Sequence, residues 1–395
     1  MTTFNQNSLG KRGEYNMGYI MTDEQRDLRD MVRAFYEKEL DPIVMEYDEK
    51  NETPMHLVPK GLEMGLHLID IPEEYGGMGL GDRTAVILAE EMARHDLGFS
   101  SVFSITGMAL KVILATGNEE QKRRFSDKVV NGALGAFCLT EPVAGSDAAA
   151  IRTAAVPDGD HYILNGTKTF ITNGGLADFF IVMAKTDKTK GARGISAFVV
   201  ERSMKGVSNG KHENKMGLRL SNTCDVILED VAVPKANMLG VEGKGFITAM
   251  QALDGGRGSV AAGSIGLAQR AMEEAVKYSK LRSAFGQPIN RFQGIQFMLA
   301  DMQVQIEAAR GLVEKFLYNK EHGLPYGKEG AMAKLFATDT AMHVTTDAVQ
   351  VFGGYGYCKD YPVEKLMRDA KVQQIVEGTN QIQRTIISRY LASEY

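Results

Sequence analysis

The apolar positions follow different rhythms in different parts of the chain. From Thr22 onward, Leu28, Met31, Val32 and Phe35 recur at helical spacing, which predicts an amphipathic helix with one buried stripe. Thr22 followed by Gln25 has the form of a capping box at its start. A further helical stretch is expected from about Thr84 to Arg94, after the loop Gly76-Gly77-Met78-Gly79-Leu80-Gly81. Residues 98–117 are apolar with few charges, and Asn118 to Gln121 can cap another helix. Residues 22–134 therefore read as an N-terminal helical domain behind a polar tail, residues 1–21.

Near Gly135 the period shortens. Ala136 to Leu139 is a short β-type run, and Phe179 to Ala184, Ile195 to Val200 and Asp225 to Val233 supply more strands. His161 to Leu164 and Thr167 to Ile171 flank Asn165-Gly166, a dipeptide that predicts a hairpin turn. Residues 135–235 thus read as a small β-barrel or sandwich. After Pro234 the helical period returns. Phe292, Ile295, Leu299, Met302, Ile306, Ala309, Val313 and Phe316 line one long face. Further helices are expected over 243–280, 328–350 and 379–392, so residues 236–395 read as a helical bundle. The expected fold is mainly α with a central β-domain.

Composition narrows the chemistry. A chain of 395 residues suggests two or three domains. Its 44% hydrophobic and 24% charged residues fit a globular protein, and a net charge of −5 argues against a nucleic-acid partner. No apolar run reaches about 18 residues, so no membrane span is expected. Cys138, Cys224 and Cys358 lie far apart without a CxxC, which fits free thiols in a reducing compartment. The start, Met-Thr-Thr-Phe-Asn-Gln-Asn-Ser, is no signal peptide. There is no GxGxxG after a strand, no P-loop, no HExxH and no GxSxG, so neither a dinucleotide fingerprint nor a metal site is expected.

Three segments carry chemistry. In Cys138-Leu139-Thr140-Glu141-Pro142-Val143-Ala144-Gly145-Ser146-Asp147 a strand enters a loop rich in hydroxyls and small residues. Its N–H groups and the Thr140 and Ser146 hydroxyls suit polar ligand atoms; an ordinary strand-to-loop turn fits the same pattern. In Gln350-Val351-Phe352-Gly353-Gly354-Tyr355-Gly356-Tyr357 paired glycines permit close backbone approach, or simply a helix C-cap. In Gln374 to Arg384, Glu377 stands between an apolar pair and Gly378, and Thr379 can cap the next helix. A carboxylate in such a break is either a dry-pocket base with a raised pKa or a solvated residue favoured by the helix dipole.

Taken in order with Ile71 to Gly77, Phe170 to Gly174, Lys215 to Arg219, and Arg282 to Gly286 with Phe292-Gln293, these segments make residues 22–392 resemble the acyl-CoA dehydrogenases, a flavoprotein family, and within it the short- or medium-chain or butyryl-CoA enzymes. The resemblance implies an N-terminal helical domain, a middle β-domain and a C-terminal four-helix bundle, assembled as a homotetramer. It implies FAD, with Phe137, Leu139, Thr140, Ser146, Phe170 and Thr172 at the flavin. Arg282, Phe285, Phe292, Gln293, Gln350, Val351, Gly353 and Gly354 would hold the adenine end and pyrophosphate from a partner subunit, and Thr379 and Gln381 would complete the site. Glu377 would be the catalytic base, and Ser146, Asp254, Arg257 and Gly378 would contact substrate; for Asp254 and Arg257 a helix-internal ion pair is the alternative. The family sometimes places its base within the segment matched by Asp254-Gly255-Gly256-Arg257, and here that position is Gly256.

The implied reaction is α,β-dehydrogenation of an acyl-CoA thioester to the trans-2-enoyl-CoA, with electrons passed to an electron-transferring flavoprotein. The reverse reaction, an acyl-CoA oxidase and a silent binding relative are the competing readings. Val376 stands where the family commonly has Tyr, and Gln373 where an aromatic is frequent, so a branched, cyclic or aryl acyl group stays open. Residues Phe99 to Thr106 would form the far end of the acyl pocket. The expected location is a bacterial cytoplasm, with a mitochondrial matrix as the alternative.

Overall fold

The computed structural model describes residues 19–395. Most of the expected tail, residues 1–18, lies outside the described residues. Tyr19 and Met21, assigned above to that tail, are instead buried in one core with Ile87 and Ile306. Helix α1 (Asp23–Phe35) opens with the expected capping box: the Thr22 hydroxyl accepts from the Gln25 N–H, and the Gln25 side chain accepts from the Thr22 N–H. Short helices α2 (Val44–Lys50) and α3 (Val58–Glu63) lead to α4 (Gly81–Thr116) and α5 (Glu119–Val130). Asn118 and Gln121 cap α5 in the same reciprocal way.

Helix α4 absorbs both the 84–94 stretch and the apolar run after it. They join at Asp96, whose φ of −158° and ψ of 114° kink the helix. Its Oδ1 accepts from the Phe99 N–H at 2.6 Å, recapping the second half. Contrary to the sequence reading, an 18-residue window of α4 reaches a mean hydropathy of 1.7, and 67% of that window is buried inside the protein. The N-terminal helices, the sheet and the bundle all pack on α4, so it is apolar nearly all round.

The middle region is one eight-stranded sheet. Its strands are β1 (Gly135–Cys138), β2 (Ala154–Asp158), β3 (His161–Thr172), β4 (Phe179–Lys185), β5 (Ile195–Glu201), β6 (Val207–His212), β7 (Thr223–Pro234) and β8 (Met238–Leu239). They lie in the order β6-β7-β3-β2-β4-β5-β8, with β1 parallel to β4. Alternate residues of β4 and β5 serve two cores. Ile181, Met183, Ala197 and Val199 pack with Ile113 and Phe125 of the helices; Phe180, Val182, Phe198 and Val200 pack with Leu164 and Val226. Burial on both faces explains why these strands read as unbroken apolar runs.

Asn165-Gly166 is not a turn. Strand β3 runs through it, with a bulge against β7 between Leu164 and Gly166. The Asn165 side chain accepts from the Asp230 N–H at 2.9 Å. Gly166 lies so close to its neighbour that a Cβ would fall 2.4 Å from the Thr153 hydroxyl. The glycine therefore serves close approach, and the hairpin turn is at Gly159-Asp160, between Asp158 and its pair His161.

The bundle comprises α6 (Gly245–Leu281), a small ribbon of β9 (Ser283–Ala284) and β10 (Gln287–Pro288), α7 (Gln293–Glu321), α8 (Gly327–Phe352), α9 (Val363–Gln373) and α10 (Asn380–Glu394). The stripe Met302, Ile306, Ala309, Val313 and Phe316 is buried along α7, while Ile295 and Leu299 pack half-buried at its start.

Candidate active site

The chain enters the site between α9 and α10. After α9, Ile375 and Val376 still bond back to the Val372 carbonyl. Glu377 and Gly378 then turn left-handed, with φ of 51° and 88°. For a Glu that conformation costs roughly 1–2 kcal/mol. Thr379 caps α10, its hydroxyl accepting from the Ile382 N–H at 3.3 Å. Gln383 donates to the Gly378 carbonyl at 2.8 Å and to the Glu377 carbonyl at 3.3 Å. Among the described residues the Glu377 N–H has no intrachain acceptor.

The carboxylate of Glu377 points inward. Its Oε2 is buried with no hydrogen-bond partner, so burial pushes the pKa up to about 7, against the opposing pull of Arg257, Lys334 and Lys111. These cations come from α6, α8 and α4. A Cβ on Gly256 would sit 2.7 Å from Oε2. The position where the family's alternative base would stand therefore faces the same point in space as Glu377, and any side chain there would push the carboxylate from its present place.

Arg257 is buried, and its Nη1 meets Asp254 Oδ1 at 2.7 Å. That is the helix-internal ion pair weighed above, but the Arg257 Nε is a buried donor without a partner. Burial pushes the Asp254 pKa up, with Arg257 opposing it.

Two of the residues assigned to the flavin pack against α6. Phe137 and Leu139 belong to one apolar cluster with Phe246, Met250 and Leu253. Beyond them the loop is pinned by Glu141, which accepts from Lys168 at 2.7 Å and from the Thr153 hydroxyl at 2.6 Å. Phe170 sits at a φ of 56° in the irregular end of β3, its ring 65% exposed. Asn173, also left-handed, anchors that end by donating to the Val102 and Gly135 carbonyls. The hydroxyls of Thr140, Ser146 and Thr172 take no hydrogen bond from or to other described residues. A strained, outward-facing aromatic flanked by unused hydroxyls fits a flat polar ring system such as a flavin.

A second group lies elsewhere. Arg282 follows the last residue of α6, about 37 Å of helix from Gly256 at 1.5 Å per residue. With Tyr278, Val351, Phe352, Gly353 and Gly354 it lines a cavity of about 480 Å³. Gly353 adopts a φ of 61° and ψ of −138°, a backbone open only to glycine. Phe285 is 96% exposed and meets Phe292 edge-on. Gln293, Gln350 and Gln381 are exposed. The chain thus gathers Arg282, Val351, Gly353 and Gly354 in one place, apart from the cluster that holds Phe137 and Leu139.

Within the segment expected at the far end of the acyl pocket, Phe99, Val102 and Phe103 are fully buried in the N-terminal core with Tyr36 and Leu57. In that segment Ser101, Ser104 and Ile105 remain accessible. Two features were missed. Lys365 bridges Asp96 and Asp369 at 2.5 and 2.6 Å in a buried cluster. Lys334 lies fully buried beside the Glu377 loop. Its signal was present, a lone Lys in phase with the buried Ala337 and Ala341 in an otherwise apolar stretch.

Comparison with known proteins agrees with this geometry. Residues 22–133, 136–231 and 243–392 match the N-terminal, middle and C-terminal domain models of acyl-CoA dehydrogenase. The short-chain-specific acyl-CoA dehydrogenase of Clostridium acetobutylicum is 49% identical, over 94% of this chain and 99% of that protein. The acryloyl-CoA reductase (NADH) of Anaerotignum propionicum is 45% identical, over 94% and 95%. The butyryl-CoA dehydrogenase structure from Megasphaera elsdenii superposes with a TM-score of 0.92 at 46% identity, covering 95% of this chain and 100% of that one. A chain solved in work on the electron-transferring flavoprotein of Acidaminococcus fermentans gives 0.92 at 50% identity, covering 95% and 99%. The chain belongs to the acyl-CoA dehydrogenase family, and it is an FAD-dependent oxidoreductase.

Proposed function

We propose that this chain oxidises a short acyl-CoA thioester to its trans-2-enoyl-CoA, with Glu377 as the base and an electron-transferring flavoprotein as the acceptor. The observation that carries the reading is the buried, unpartnered Glu377 carboxylate, held in a left-handed turn with its pKa raised to about 7. A base near neutrality is matched to abstracting a weakly acidic α-proton. The free Glu377 N–H suits the thioester oxygen as enolate charge develops there. Arg257, buried with one unused donor, orients the ligand. Bound FAD supplies the two-electron acceptor for hydride from the β-carbon. The acyl chain displaces water from Glu377, which keeps the carboxylate poorly solvated and basic.

The reverse direction, enoyl-CoA reduction, is favoured by the similarity to an acryloyl-CoA reductase. The same base then returns the α-proton, and the redox partner decides which way the reaction runs.

The separation of the two FAD groups supports a cofactor completed by a second subunit. Exposed Phe297 and Val304 lie one heptad apart on α7, with Leu281 83% exposed at the end of α6. Such apolar stretches suit subunit packing and support the homotetramer. The relatives named above are bacterial, which supports reading the location as a bacterial cytoplasm.

The test is Glu377→Gln. It should retain FAD while anaerobic bleaching by butyryl-CoA slows at least ~100-fold. Bleaching within tenfold of the wild-type rate would remove Glu377 as the base.

A further inference from the structure

We propose that Lys334 is a positioning residue, which fixes the Glu377 loop through the Gly378 carbonyl and holds a positive charge near the base without bonding to it. The inference rests on Glu377 being the base.

Lys168, Lys334 and Lys365 are the buried lysines among the described residues. Burying an ammonium costs several kcal/mol unless a partner compensates. Lys168 meets Glu141 at 2.7 Å, and Lys365 meets both Asp96 and Asp369. Lys334 has no carboxylate in contact. Its Nζ donates to the Gly378 carbonyl at 3.0 Å and to Asn380 Oδ1 at 2.8 Å, both neutral acceptors. Asn380 is itself fixed, donating to the Thr338 hydroxyl and to Asp339.

The site therefore holds a buried ammonium lacking a carboxylate and, on the loop that ammonium bonds to, a carboxylate whose buried Oε2 lacks any hydrogen bond. A direct bond between them would stabilise the carboxylate and blunt it as a base. The Gly378 peptide takes the ammonium's hydrogen bond instead. The charge acts through space, and the same bond helps hold the left-handed turn.

The groups facing Glu377 are Arg257 on α6, Lys111 on α4 and Lys334 on α8, all lowering its pKa against burial. Those facing Lys334 are Glu377, Asp339 and Arg257, while burial drives the Lys334 pKa down to about 8. Near neutral pH Lys334 is therefore mostly charged and opposes the rise at Glu377.

The experiment uses FAD-loaded Lys334→Gln, Lys334→Arg and Glu377→Gln, with butyryl-CoA as the probe. The anaerobic bleaching rate is followed against pH, and KM is measured separately. An infrared carboxyl band that is absent in Glu377→Gln gives the same midpoint without turnover. Lys334→Gln keeps an N–H for the Gly378 carbonyl but loses the charge. Its midpoint should move up by about one pH unit, with the rate below the midpoint falling about tenfold and KM little changed. Lys334→Arg should restore the wild-type midpoint. An unmoved midpoint in Lys334→Gln, or an equal shift in Lys334→Arg, overturns the proposal. Should Lys334→Gln not fold, Lys334→Arg alone decides: a midpoint within a few tenths of wild type supports the role, and a shift of a full unit rejects it. Bleaching of Glu377→Gln at the wild-type rate would instead refute the base itself.

Discussion

Glu377 occupies an unfavourable position twice over. Its backbone is left-handed, and its carboxylate is buried without a hydrogen bond. Both costs fit the base proposed at Glu377 and make a testable stability signature. The ordinary carboxyl value is 4.5, and burial raises it in the folded chain to about 7. Well below 4.5 the group is neutral whether folded or unfolded, and its pKa shift costs nothing. Above 7 the folded state alone must hold a desolvated charge. The penalty therefore grows as pH rises between those values, to on the order of 3 kcal/mol. Glu377→Gln should melt higher than wild type at pH 8, and the gain should shrink at pH 5. An equal difference at both pH values, measured by scanning calorimetry on the FAD-loaded forms, would show that the carboxylate is solvated.

At the scale of elements, the site depends on helices that break where they should. Helix α4 kinks at Asp96, and α9 ends just before Glu377. Lys365 ties the two together: it joins Asp96 in the kink to Asp369 on α9, while Asp369 also accepts from the Leu218 N–H at 2.6 Å. Burial alone would lower the Lys365 pKa, but the two carboxylates outweigh it and raise it. Removing one member strands buried charge, so Lys365→Met should cost about 3–5 kcal/mol in denaturant unfolding. A loss below about 1 kcal/mol would mean that the cluster is not holding the elements together.

This clasp was illegible in the sequence, because its members are about 270 residues apart at the extremes and charge runs carry no record of long-range pairing. The capped starts of α1 and α5 were legible, since both bonds of a capping box lie within four residues. The stripe on α7 was legible for the same local reason. Asn165-Gly166 misled because a dipeptide suited to turns also suits a bulge, and the approach of Thr153 decided between them. Strands β2 and β6 were passed over, since their half-exposed sequences carry little periodic signal.

For the whole molecule, the legible part was the order of motifs, and the illegible part was how far apart they fall in space. Glu377, Gly256 and Arg257 converge, as the motif order implied. Arg282 and Gly353 share a cavity at the other end of α6, a separation that spacing alone does not announce but that the resemblance, in assigning them to a partner subunit, implied. In the function proposed above, this scaffold removes two electrons from a saturated acyl-CoA by way of bound FAD and Glu377. The most direct measurement is an anaerobic visible spectrum of the purified protein, titrated with saturated acyl-CoAs of graded length and branching. The protein is expected to be yellow, with a flavin band that bleaches stoichiometrically with a short-chain thioester. A flavin band that no saturated acyl-CoA bleaches, or a colourless protein that FAD cannot reconstitute, would contradict it.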